Sequence, residues 1–285
     1  MREAGVAGQF YPADRRGLVE SIERCFSGEF GPKAMPDARV RDMGLVVGLV
    51  APHAGYVYSG GAAAFAYKAL AEDGMPEVAV IIGPNHCSMG AKVALSGDDV
   101  WSTPLGKVAC DGGLGLEIVD KSKYLKVDSA AHKREHSIEV QLPFLQYLRA
   151  DISIVPISIA HAHVSKSEAI DITRDLGAAI AECVAGRSAV VIASTDFSHY
   201  ISRESAVEKD GAVIEHIVKR DPIGVIDEVY DKDVTMCGAV GVAVMLEACN
   251  RLGAHSAQKL AYYTSGDVTG DSREVVGYGA VVVSR

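Results

Sequence analysis

The chain has 285 residues, 48% hydrophobic and 23% charged, with 29 glycines and a formal net charge of −9. That is enough chain to bury a large core, in one large α/β domain or two smaller ones, and the acidic balance argues against a nucleic-acid partner. No run approaches the roughly 20 apolar residues of a membrane span. The opening MREAGVAGQFYPAD has no signal-peptide pattern, and six cysteines without a CxxC pair suit a reduced, cytoplasmic protein better than a disulfide framework.

Taken along the chain, LVVGLVA at 45–51 is rich in β-branched residues and reads as a buried strand ending at Pro52 and His53. SGGAAAFAYKALAEDG follows as a small-residue helix, with Ser59 as N-cap and Gly74 as stop. EVAVIIG at 77–83 is a second strand running into Pro84, Asn85 and His86. WSTPLGKV at 101–108 suggests a turn beside an edge hairpin. The stretch EHSIEVQLPFLQYL at 135–148 spaces its apolar residues like a helix, although Pro143 is tolerable only near a helix start or at a kink. ISIVPISI at 152–159 is a third strand, followed by a helix with Ser165 and Glu168 spaced as a capping box and Gly186 as stop.

SAVVIAST at 188–195 is a fourth buried strand, with Asp196, Ser198 and His199 just past its end. Helices are expected over about 204–219, in a short segment before DKDVTMCG, and over 238–250, and the chain closes with the strands AQKLAYYTS and VVGYGAVVV, which suit an antiparallel pair. With no internal repeat and no linker, this alternation predicts one three-layer α/β/α domain over residues 1–285 around a mostly parallel or mixed sheet.

His53, His86 and His199 each follow a strand. If those strands are parallel their ends share one face, where open α/β sheets hold ligands, and imidazoles gathered there with a carboxylate or thiolate, Asp196 or Cys237, would suit iron, copper or zinc. Each residue also has a plainer reading: His53 and His86 as turn hydrogen-bonders, Asp196 and Ser198 as caps, Cys237 as core, Tyr56 and Tyr58 as packing. A helix start at Cys237 would lower its thiol pKa. His132 and His136 would share a helix face, but HKREH lacks the HExxH order, which leaves Glu135 and His136 as groups behind a metal or in proton transfer. His161 and His163 suit a loop. GxSxG, a P-loop and GxGxxG are all missing, while Cys237, His199 and Asp196 would compose a nucleophile–base set.

The ordered motifs AGQFYPAD, APHAGYVYSG, GPNH, STPLG, EHSIEVQLPFLQ, STDFSHY and TMCG span nearly the whole chain. In them the chain resembles the Memo family, whose prokaryotic members are called AmmeMemoRadiSam system protein B. The family is similar in fold to the LigB-like class III extradiol dioxygenases, non-haem iron enzymes. The resemblance implies His53, His86 and Cys237 as metal ligands, with His199 and Asp196 beside them in acid–base roles. Cys237 stands where the dioxygenases have a Glu, a change that softens the site and argues against plain catechol cleavage. A redox or oxygenase-like enzyme holding iron or copper, with zinc less suited, is the leading expectation. A non-catalytic protein binding a small molecule or peptide, and a Cys–His hydrolase or transferase, are the alternatives. The family's company implies a pathway shared with AMMECR1-like and radical SAM proteins.

Overall fold

Four runs of Val, Ile and Ala, buried on both faces, make the parallel heart of the sheet, as continuous apolar strands do when helices cover both sides. A computed structural model describes residues 1–37, 44–160 and 164–285. In chain order these residues form α1 (Arg15–Ser27), β1 (Val46–Ala51), α2 (Tyr56–Asp73), β2 (Val78–Asn85), β3 (Val93–Leu95), β4 (Val100–Thr103), β5 (Gly106–Cys110), α3 (Gly112–Lys121) and β6 (Lys126–Val127). Next come α4 (Leu142–Leu148), β7 (Ser153–Ala160), α5 (Lys166–Val184), β8 (Ala189–Ser194), β9 (His199–Ile201), α6 (Arg203–Val218) and α7 (Pro222–Asp231). The chain ends with α8 (Ala239–Arg251), β10 (Ser256–Thr264), α9 (Ser265–Thr269) and β11 (Val275–Ser284).

The strand order is β10-β11-β1-β8-β2-β7-β3-β6. The central strands β1, β8, β2 and β7 are mutually parallel. β11 and β10 add an antiparallel edge on one side, as the terminal hairpin pattern predicts, and β3 runs antiparallel to β7 on the other. β4 and β5 form the expected hairpin. Alternate residues of each central strand feed two cores. Ile81, Leu49 and Ile192 pack with α1, α2 and α4 through Phe26, Tyr67 and Phe144. Ile82, Val50 and Val191 pack with the opposite layer through Ile118, Leu176, Ile214 and Leu246. The result is a three-layer α/β/α arrangement with a mixed sheet.

Two local expectations change. The second helix begins at Tyr56, a turn before Ser59, which donates its hydroxyl to the Ala54 carbonyl at 2.9 Å instead of capping. Close packing sets its composition: a Cβ on Gly61 would lie 2.6 Å from the Phe30 carbonyl oxygen. The stretch 135–148 is a helix only over Leu142–Leu148, with Pro143 in its first turn and a short 3-10 turn at Glu139–Gln141 before it. Proline has no N–H to give a helix extending further back, and the preceding carboxylates serve distant donors. His132 and His136 therefore do not share a continuous helix.

Glu139, fully buried, is the clearest case. Its carboxylate accepts Arg2 Nη1 at 2.7 Å, Gly5 N at 2.8 Å, Val6 N at 3.0 Å and Tyr11 Oη at 2.6 Å. Arg2 also donates to the His132 and Glu135 carbonyls, and its guanidinium lies 4.1 Å over the Trp101 ring. Because a buried charge stripped of its partner is left uncompensated, Arg2→Met is expected to cost about 3–5 kcal/mol of stability, read as a lowered midpoint in urea unfolding.

Candidate metal centre

β1, β2 and β8 run in one direction, so the residues beyond their C-terminal ends meet along one edge. His53 follows β1, His86 follows β2, and Asp196 follows β8. Cys237 arrives from the turn before α8. One potential ligand atom each from His53, His86 and Cys237 lies within 4.8 Å of the others. Cys237 Sγ is 3.4 Å from His53 Nε2, and the His53 and His86 rings stand nearly perpendicular with centroids 5.4 Å apart. His53 and Cys237 are buried; the His86 side chain keeps 28% of its surface, which opens the cluster on that side.

Hydrogen bonds behind the two imidazoles orient them. The Ser194 hydroxyl donates to the Ser137 carbonyl at 2.7 Å and accepts Gln141 Nε2 at 2.7 Å. With its proton so committed, Ser194 Oγ accepts from His53 Nδ1 at 2.9 Å. That assigns the Nδ1–H tautomer and leaves the Nε2 lone pair facing Cys237. His86 Nδ1 lies 3.0 Å from Glu135 Oε1. Burial acting alone would raise the Glu135 pKa, but the His86 hydrogen bond, the nearby imidazoles and the Ser137 amide outweigh it and hold the carboxyl at about 2. Imidazoles held this way, with a thiol between them, fit a transition-metal ion.

His86, Glu135 and His136 form a second close group, but the Glu135 carboxylate is already committed, accepting His86 N, His136 N and Ser137 N besides the ring. The His136 ring stacks on His86 at 4.8 Å and against Phe10 at 4.6 Å. Burial lowers its pKa.

Asp196 is buried rather than capping an exposed turn, and Oδ1 accepts the His53 backbone N–H at 2.9 Å. Burial raises its pKa. His199 Nδ1 faces the Thr235 carbonyl at 2.9 Å. Ser198 donates its hydroxyl to Asp210 at 2.6 Å. Nothing in the spacing of Asp210 signals this, because it sits inside a helix. Tyr56 is core, its hydroxyl on the Val140 carbonyl, whereas Tyr58 is exposed. Cys237 departs from expectation. α8 starts at Ala239, and the Gly238 N–H goes to Thr195 Oγ1 at 2.9 Å, away from the sulfur. Burial, then the Asp196 charge, push the thiol well above its ordinary value. His161 and His163 lie outside the described residues.

The fold and the cluster together define an α/β protein with a His/His/Cys group able to coordinate a metal ion at the C-terminal edge of its parallel strands. Residues 2–282 match the family model described as Memo-like protein. A MEMO1 family protein of Methanopyrus kandleri is 45% identical over 287 residues, covering 100% of this chain and 99% of that one. Another from Thermotoga neapolitana is 41% identical over 286 residues, 100% of each. The chain belongs to the Memo-like family. A crystal structure of an uncharacterized Escherichia coli protein is similar at a TM-score of 0.53, covering 82% of this chain and 99% of its own, and at 13% identity this is a likeness of fold alone.

His132, fully buried with Nε2 on the Ala94 carbonyl at 3.0 Å, has its pKa lowered by burial from 6.5 to about 4. The unfolded chain therefore binds the extra proton first, so stability falls as pH drops from 6.5 to about 4, by up to about 3 kcal/mol from this residue. His132→Asn is expected to flatten that part of the stability–pH curve in urea titrations. Glu135, lowered from 4.5 to about 2, adds stability present above pH 4.5 and lost toward pH 2.

Proposed function

We propose that this chain is a metal-dependent redox or oxygenase-like enzyme, with His53, His86 and Cys237 as ligands to iron or copper. The observation that carries the reading is the convergence of donor atoms from three separate elements within 4.8 Å, with each imidazole already fixed through its other nitrogen. The bound ion would supply electron transfer or activation of oxygen. The chain's own part is to hold His53 and His86 with Nε2 presented, and to give up the Cys237 proton when the metal binds. His199 is the proposed acid–base residue. The Thr235 carbonyl takes its Nδ1–H and leaves Nε2 for the ligand side. Asp196 is proposed to act with it, while its carboxylate also fixes the His53 backbone.

A kinship with the LigB-like extradiol dioxygenases belongs to this reading, as do a cytoplasmic location and a pathway shared with AMMECR1-like and radical SAM proteins. Cys25, Cys87, Cys110, Cys183 and Cys249 stand as free thiols, which supports the location. Among the described residues no helix is long and apolar enough to cross a membrane. The alternative of a non-catalytic protein taking a small molecule or peptide uses the same open side at His86. The Cys–His hydrolase alternative is less well supported: the imidazole at 3.4 Å from Cys237 belongs to His53, whose Nδ1 meets a serine and not a carboxylate.

Metal analysis by mass spectrometry on protein purified without chelators is expected to find near-stoichiometric iron or copper, lost in the His53→Ala, His86→Ala double variant. No metal in wild type after anaerobic reconstitution would move the reading to a binding protein. His199→Ala is expected to keep the metal and slow oxygen-dependent turnover by about 10²–10⁴-fold.

A further inference from the structure

The two imidazoles of the cluster are oriented by chemically different partners. His53 leans on a neutral hydroxyl, Ser194, itself held by Gln141 and Ser137. His86 leans on a carboxylate. Glu135 is 1% exposed and comes from a segment 49 residues away in sequence. It takes both the ring nitrogen of His86 at 3.0 Å and its backbone N–H at 2.6 Å. The same carboxylate accepts His136 N and Ser137 N at 2.9 Å each, so four donors surround it. A group so occupied has little capacity left to bind a metal ion itself. Its geometry is that of a carboxylate fixing a histidine's tautomer and increasing its donor strength. Arg2 secures the same segment from behind by donating to the Glu135 carbonyl.

We propose that Glu135 is the positioning residue of the centre: it locks His86 as the Nδ1–H tautomer, turns Nε2 toward Cys237 and His53, and lends negative charge to that one ligand. This rests on the metal-binding reading for its consequence but not for its geometry. A neutral amide cannot replace the carboxylate, because the NH₂ of a glutamine would have to face at least one of the four N–H donors. Charge lent through His86 favours the higher oxidation state of a bound ion, so its removal raises the reduction potential.

The test uses long-range ¹H–¹⁵N correlation spectra of the metal-free protein, with titrations of iron(II) and of copper(I) against a chromophoric chelator. Wild type is expected to show His86 protonated at Nδ1. Glu135→Gln is expected to lose that tautomer, bind the ions about 10–100-fold more weakly and shift the midpoint potential upward. Glu135→Asp, which keeps the charge but shortens the reach, is expected to fall between them. Finding His86 protonated at Nε2 in wild type would overturn the proposal even if no variant folds. So would a Glu135→Gln protein that folds and keeps tautomer, affinity and potential. If wild type shows the Nδ1–H tautomer but takes up neither ion, the metal reading fails while the positioning role stands.

Discussion

The buried pair between Arg2 and Glu139 is the contact on which the order of the site depends. Both side chains are almost wholly withdrawn from water, 4% and 0% exposed. Two desolvated charges are tolerable only when nearly every donor and acceptor is met. Glu139 is met by an arginine, two backbone amides and the Tyr11 hydroxyl. The remaining Arg2 donors go to the His132 and Glu135 carbonyls. The N-terminal arm thus clamps the irregular segment 132–139, which has no regular ladder of its own to hold it. Glu135, and through it His86, stands on that clamp.

Around the cluster the same economy recurs. His53 and His86 are each held by a group already engaged by several other partners. Ser194 is saturated by Ser137, Gln141 and His53. The 196–199 loop is tied to β11 through Phe197 N to the Gly277 carbonyl and Gly277 N to the Ser198 carbonyl, both at 2.9 Å. It is tied to α6 through Asp210, whose second oxygen accepts the Tyr262 hydroxyl at 2.7 Å. Gly277 has to be glycine there, since a Cβ would come within 2.1 Å of the Asp210 carboxylate. Support of this kind fixes the directions in which these side chains present their donor atoms.

Much of the architecture was legible in the chain. The four central strands follow from short apolar runs rich in β-branched residues, and the two-sided burial of parallel strands explains why those runs do not alternate. The helix after Ser165 starts where its cap predicts, with Ser165 Oγ accepting the Glu168 N–H. Legibility failed where side chains answer to distant partners. The apolar spacing of 135–148 imitates a helix, but Glu139 accepts the distant Gly5 and Val6 amides, and Glu135 accepts His86 together with the amides of the two residues that follow it. Cys237 invited a low pKa from its place before a helix, yet burial governs it.

By itself the sequence determined the strands, their succession, and the chemistry-bearing residues just past their ends, because periodicity and turn residues act locally. Only the tertiary structure decided that His53, His86 and Cys237 meet within 4.8 Å. It alone decided that Ser194 and Glu135 lie against the Nδ1 atoms of His53 and His86. Those outcomes depend on parallel strand pairing, buried hydrogen bonds and desolvation between residues far apart in the chain, and no local pattern encodes such long-range terms.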